Sequence, residues 1–111
     1  MSQKLDKSEL RLLFDRLTKQ LQGKRAEVEV ASLGLGDQIE AETVPLLGLS
    51  YDPQDDAVAI ALDGIDITIP KPRELYFDAV GGEWAALDII DADGTAHIVQ
   101  LKDPMQLPAL H

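Results

Sequence analysis

The sequence predicts an α+β domain: one N-terminal amphipathic helix packed on a mostly antiparallel meander or partly closed barrel of seven to eight short strands. Apolar residues recur at the helical period only before Gly23. From Arg25 onward they alternate with a period of two, in a vocabulary of Val, Ile and Thr. No helical period returns between the strands, which argues against a parallel, doubly wound sheet, because parallel neighbours need crossover helices. With 111 residues, the chain reads as a single domain over 1–111, with a helix at about 6–22, a sheet at about 25–101 and an extended tail at 102–111.

The helix begins at Asp6-Lys7-Ser8-Glu9, which has the spacing of a capping box: the Asp6 side chain takes the Glu9 N–H and Glu9 reaches back. Leu5 and Leu10 stand where a hydrophobic staple closes. Leu10, Leu13, Phe14, Leu17 and Leu21 then fall on one stripe, the core face. Gly23 suits a left-handed stop, and Lys19, Lys24 and Arg25 suit the negative end of the helix dipole. Leu12 points away from the stripe among Arg11, Arg16 and Lys19, so it is either an ordinary exposed leucine or a contact residue.

Ala26, Val28 and Val30 alternate with Glu27 and Glu29, and Ile39 and Ala41 with Glu40 and Glu42. A turn around Gly34 and Gly36 makes these two strands a hairpin. Pro45 removes a ladder donor, so the chain should bulge or lie on an edge near Val44–Leu47 before Leu47, Leu49 and Tyr51 resume the alternation. Asp52-Pro53-Gln54-Asp55-Asp56 is a turn by composition. Ala57–Leu62 is apolar on both faces and is expected to lie centrally in the sheet. After Asp63-Gly64, Ile65, Ile67 and Ile69 form a strand that Pro70 and Pro72 end. A short strand holds Leu75, Tyr76 and Phe77, a Gly81-Gly82 turn follows, and Trp84–Asp91 pairs with Thr95–Leu101 across Asp91-Ala92-Asp93-Gly94.

The hydrophobic fraction of 45% and charged fraction of 27% exclude a disordered tail and a collagen-like fibre. The longest uncharged run, Thr43–Tyr51, is about half the length of a membrane-spanning helix, so no membrane insertion is expected. No cleavable leader is visible. Absence of Cys removes disulfides and thiolate chemistry and suits a reducing compartment, so the expected location is cytoplasmic. The net charge of −10 is uneven. Residues 1–25 hold seven basic and three acidic groups, a balance of +4 that leaves −14 on the rest. Such a body repels phosphate backbones, so no nucleic-acid partner is expected. The basic segment is read as lying against acidic strands or solvating its own helix face.

The catalytic inventory is thin. Only His97 lies inside the fold as a candidate base, His111 being terminal. Gly48-Leu49-Ser50-Tyr51-Asp52 lacks the last glycine and the following helix of a serine elbow. Gly34-Leu35-Gly36 lacks the third glycine of a dinucleotide loop. Asp91 and Asp93 with Gly94 echo the start of a calcium loop, but no closing Glu follows. No cofactor and no metal site is expected. Lys71 and Arg73 are two of three basic residues after position 25, set among 17 acidic ones and stiffened by Pro70 and Pro72. Arg73 is therefore either a tether to a neighbouring carboxylate or a receptor for an anionic group.

The stretches Lys4-Leu5-Asp6-Lys7-Ser8-Glu9, Gly23-Lys24-Arg25-Ala26-Glu27-Val28-Glu29-Val30-Ala31 and Gly36-Asp37-Gln38-Ile39-Glu40-Ala41-Glu42 carry a likeness. It continues in Pro45-Leu46-Leu47-Gly48, Tyr51-Asp52-Pro53, Pro72-Arg73-Glu74-Leu75-Tyr76 and Asp103-Pro104. Together they resemble a family of short acidic bacterial proteins classed as a domain of unknown function. The resemblance implies a stand-alone bacterial domain and assigns no catalytic or binding position. The expected function is a non-enzymatic interaction module, binding a protein partner or self-associating as a homodimer, with Leu12, an edge at Val44–Leu47 and the Pro-rich tail as contact surfaces. The alternative is a small-ligand-binding domain with an apolar pocket between helix and sheet near Tyr76, Phe77 and Trp84. A hydrolase or isomerase using His97 and an acid is the third reading. The candidate contact residues are thus Leu12, Arg73, Tyr76, Trp84 and His97.

Overall fold

The computed structural model describes residues 2–20, 24–32, 36–80 and 83–106. Its elements are β1 (Ser2–Leu5), α1 (Lys7–Gln20), β2 (Arg25–Ser32), β3 (Gly36–Asp52), β4 (Ala57–Leu62), β5 (Ile65–Pro70), β6 (Pro72–Val80), β7 (Glu83–Asp91) and β8 (Ala96–Gln106). The strands form one eight-stranded sheet in the order β1-β6-β7-β8-β2-β3-β4-β5, and all neighbouring pairs are antiparallel. This is the α+β arrangement expected from the change of period. The sheet does not close into a barrel, since β1 and β5 remain its two edges.

Asp6 caps α1, but not as a capping box. Its Oδ1 accepts the Ser8 N–H at 3.1 Å, while the Glu9 N–H bonds the Asp6 backbone carbonyl at 2.9 Å. Leu10, Leu13, Phe14 and Leu17 are buried as the stripe requires. The expected stop at Leu21 and Gly23 lies outside the described residues, as do the glycines at 34, 81 and 82.

Five strands differ from expectation: β6 runs over Pro72–Val80 rather than only around Leu75–Phe77, β4 lies next to the edge strand β5 rather than centrally, and β1, β3 and β8 differ as follows. β1 adds a strand where only a staple residue was expected, pairing Leu5 with Leu75 and Lys4 with Tyr76. The two strands expected on either side of Pro45 are one, β3, whose first half pairs with β2 as far as Pro45 and whose second half, from Leu46, pairs with β4. Pro45 is tolerated because the chain changes partner there. The Leu46 N–H bonds the Lys24 carbonyl, and the Pro45 carbonyl accepts from Asp63. β8 runs past Leu101 to Gln106, pairing Met105 with Trp84.

The connection from β5 to β6 fixes the overall shape. These strands stand near opposite ends of the sheet order, yet only Lys71 separates Pro70 from Pro72. The sheet must therefore roll until its two ends meet at that corner. The roll encloses one core, to which α1 gives Leu10, Leu13, Phe14 and Leu17, the β6-β7-β8-β2 side gives Leu75, Phe77, Leu87, Ile89, Val99 and Val28, and the β3-β4-β5 side gives Leu49, Val58, Ile60 and Ile69. The helix fills the mouth that the strands leave open.

Candidate functional site

Among the described residues two grooves flank α1. The larger, about 850 Å³, is lined by Ser8, Arg11, Leu12, Asp15 and Thr18 of the helix and by Leu49, Ser50 and Tyr51 of β3. The helical residues follow one another by three, one, three and three positions, so they form a strip beside the buried stripe. Leu12, which the apolar period leaves outside the core, is 49% exposed and belongs to this strip.

The floor of the groove is a strand edge. β2 stops pairing at Arg25, so beyond Leu46 only β4 bonds β3, on one side. On the other side Thr18 Oγ1 donates to the Leu49 carbonyl and accepts the Leu49 N–H, both at 3.0 Å. One hydroxyl thus occupies both backbone groups that Leu49 turns away from β4. Backbone groups of an antiparallel strand alternate in direction, so the N–H and C=O of Tyr51 face the same way as those of Leu49. The helix runs antiparallel to this edge, with Thr18 at Leu49 and Lys7 near the turn after Tyr51. A methyl group at Gly48 would lie 3.3 Å from Thr18 Cγ2, a tight contact that the Thr18 side chain would have to relieve by a few tenths of an ångström.

The helix start is anchored by Asp56, a non-glycine residue at φ 49°. Lys7 Nζ donates to its two carboxylate oxygens at 3.0 and 3.1 Å, and Tyr51 Oη donates to Oδ1 at 2.7 Å. These bonds, that of Tyr51 first and those of Lys7 next, hold the Asp56 carboxyl below its ordinary value. In turn the bond to Asp56, burial and the negative charges of Asp56 and Asp52 push the Tyr51 phenol up to about 12. Two cations of the basic N-terminal segment meet acidic groups beyond it, Lys7 with Asp56 in the turn after β3 and Lys4 with Glu74 of β6.

The second groove, about 410 Å³, is lined by Lys4, Leu5, Asp6, Lys7 and Arg73. Arg73 is exposed and is the extra residue of a bulge, since Pro72 pairs with Asp91 and Glu74 with Ile90.

His97 lies elsewhere. It shares the inner face with Val99 and Leu101 but sits at the end of the sheet, where Nε2 meets Asp91 Oδ2 at 2.9 Å. Asp91 Oδ1 also accepts the N–H groups of Asp93 and Thr95. Burial raises the Asp91 carboxyl, but the bonds from His97, Thr95 and Asp93 outweigh it and leave it lowered. An ionised Asp91 takes the proton side of Nε2, so in the neutral ring Nδ1 is an acceptor, and it is buried with no partner among the described residues. Neither groove contains this pair.

Tyr76 and Phe77 face opposite sides of the sheet. Phe77 is core, whereas Tyr76 is on the outer face and donates its hydroxyl to Glu74. On that outer face burial and the nearby Asp78 charge raise the Asp88 carboxyl. Trp84 pairs with Ala79 and Met105 in the ladder, and its side chain lies outside the described residues. The structure thus brings Leu12 to one groove and Arg73 to the other, and Tyr76 and His97 to neither. Sequence reasoning missed Thr18, Tyr51, Lys7 and Asp56. A threonine one position off the apolar stripe, facing a strand cut by proline, was the available sign of the first. Among the described residues no group of three or more His, Asp or Glu side chains is arranged to hold a metal ion, and no helix is long and apolar enough to cross a membrane.

Residues 1–110 match the family of unknown function (DUF5335). A protein of Aquifex aeolicus (strain VF5), described as uncharacterized, is 38% identical over 96 residues, which are 86% of each chain. No solved structure matches.

Proposed function

The chain belongs to the family of unknown function (DUF5335), whose description names no activity, and we propose that it is a small bacterial interaction module that receives an extended segment of a partner protein against the β3 edge. The observation that carries this reading is the pair of bonds from Thr18 to Leu49. The hydroxyl does for Leu49 what an incoming strand would do, and the next pair of edge groups, at Tyr51, opens on the groove. An extended backbone is the natural complement of such an edge, with side-chain pockets supplying specificity. Leu12 offers the apolar contact, while Arg11 and Asp15 favour a segment that sets an acid and a base on either side of an apolar residue.

A second folded copy fits less well than a lone segment, because α1 runs along the same edge and stands between it and any approaching sheet. Panning a phage-displayed random peptide library against the chain tests the reading. Selected peptides are expected to slow hydrogen exchange at the Tyr51 amide and to bind Leu12→Glu at least about tenfold more weakly, a loss of roughly 1.4 kcal/mol. Failure to select any peptide would overturn the proposal, as would peptides indifferent to Leu12→Glu and to the Tyr51 amide. A concentration-dependent dimer that Leu12→Glu abolishes would replace the partner segment with a second copy.

A further inference from the structure

We infer that the groove bounded by Lys4, Lys7 and Arg73 is a binding site for a small phosphoryl dianion, distinct from the β3 edge. Three elements bring these cations together: β1 supplies Lys4, the first turn of α1 supplies Lys7, and the bulge at the start of β6 supplies Arg73. The lining residues themselves carry three positive charges and one negative, that of Asp6; Asp56 and Glu74 partner Lys7 and Lys4 from outside the lining, so the charge left uncompensated sits on Arg73.

The two cations best placed to bind are held in different ways. Lys7 is fixed by two bonds to Asp56, which leave one of its three N–H donors unspent. Arg73 has no ion pair or hydrogen bond among the described residues, so its planar fork of donors is free for a phosphoryl or carboxylate oxygen pair. Lys4 is only loosely engaged, 3.7 Å from Glu74.

The backbone that presents Arg73 is unusual. Lys71, at φ 51°, and Asp56, at φ 49°, are both non-glycine residues in the left-handed region, and the Lys71 N–H bonds the Asp56 carbonyl at 2.7 Å. Prolines on both sides of Lys71 remove alternatives, and the bulge then turns Arg73 out of the ladder toward α1. Left-handed non-glycine residues cost stability and persist where the surroundings over-determine them, often beside binding sites. The site does not rest on the helix terminus, since the Asp6 carboxylate already takes the Ser8 N–H there.

The rest of the molecule sets the size of the ligand. Outside residues 1–25 the chain carries a net charge of −14, so a polyanion long enough to leave the groove toward the strands meets repulsion there. A small ligand with a single phosphoryl group avoids it. Free inorganic phosphate and a phosphomonoester share that chemistry and differ in the group beyond it.

Calorimetric titration at low ionic strength with inorganic phosphate, glycerol 2-phosphate and acetate, on the wild-type chain and on Arg73→Lys and Arg73→Ala, tests the site. Phosphate or the monoester is expected to bind more tightly than acetate, to weaken about tenfold in Arg73→Lys, which keeps the charge and loses the fork, and to be lost in Arg73→Ala. The melting temperature of each ligand-free variant should stay that of the wild type, because Arg73 makes no tether among the described residues. Tighter binding of the monoester than of phosphate identifies a phosphorylated compound as the ligand, and equal binding identifies phosphate itself. The proposal is overturned by equal affinity in Arg73→Ala, by acetate binding as well as phosphate, or by no heat with either phosphate ligand at about 10 mM. A destabilised Arg73→Ala whose phosphate binding survives would instead make Arg73 a tether.

Discussion

Tyr51, Asp56 and Lys7 join three parts of the chain through two atoms of one carboxylate. Their coupling has a sign that can be read in alkali. The Tyr51 phenol is pushed up from its ordinary 10.0 to about 12, so between these values the unfolded chain loses a proton that the folded chain keeps. The contribution is fully present below pH 10 and disappears as pH rises through 12. Absorbance titration should therefore show one of the two tyrosines ionising late, and Tyr51→Phe should remove that late phase. Asp56 runs the other way: its lowered carboxyl stabilises the fold above its ordinary 3.8, and that contribution is lost as pH falls through the lower folded value. At this scale the sequence was informative where a residue broke a pattern. Leu12 stood off the apolar stripe and Arg73 stood just after Pro70 and Pro72 in an acidic stretch, and each lines a groove. The Tyr51–Asp56–Lys7 cluster could not be read, because residues so far apart in sequence meet only once helix and turn are placed side by side.

Thr18 shows how one side chain can finish an element. A helix lying beside a strand has no spare backbone groups with which to pair its neighbour, so the edge must be satisfied by side chains, by water or by another chain. Thr18→Val keeps the shape and removes the hydroxyl, leaving the Leu49 N–H and C=O without their partner beneath the helix. The expected cost is about 1–3 kcal/mol in chemical denaturation, and a loss below about 0.5 kcal/mol would mean that water replaces the hydroxyl freely. At the level of elements the sequence was largely legible. The helix and the strands after Arg25 follow from the two periods, and the turns at Asp63-Gly64 and Asp91–Gly94 have glycine at φ 84°, as their sequences require. The failures have a common cause. β1 is too short to show alternation by itself, and β3 reads as two strands because proline breaks a ladder only if the strand keeps the same partner on that side. Both features are settled by pairing with distant strands, which local pattern does not contain.

For the molecule as a whole, the helix is the plug of a rolled sheet. Phe14 is fully buried, among the largest side chains in the core, and belongs to the one cluster that also takes residues from both halves of the roll. Phe14→Ala should cost about 3–5 kcal/mol in equilibrium unfolding, a large share of the roughly 5–15 kcal/mol that stabilises a domain, and a loss under about 1 kcal/mol would show that the helix is not part of the main cooperative unit. The α+β class and the antiparallel character could be foreseen, whereas the strand order could not, because the pairings of β1 with β6 and of β2 with β8 depend on how the roll closes. Those same pairings have a consequence in time. During synthesis the hairpins from β2 to β5 can form from neighbouring segments as they emerge, but Ser2 must wait for Asp78, and Ala26 for Leu101. β1, the earliest of these eight strands to be made, is thus held without its partner until β6 has followed, and ordering the turn around Lys71 brings β6 within its reach. Closure of these long loops is slow for a purely statistical reason, since their entropy is lost before any of their bonds are gained. A nascent chain of this kind spends its longest interval as an open strip with an unpaired leading strand, and the junction at Lys71 is the point at which the strip becomes a roll.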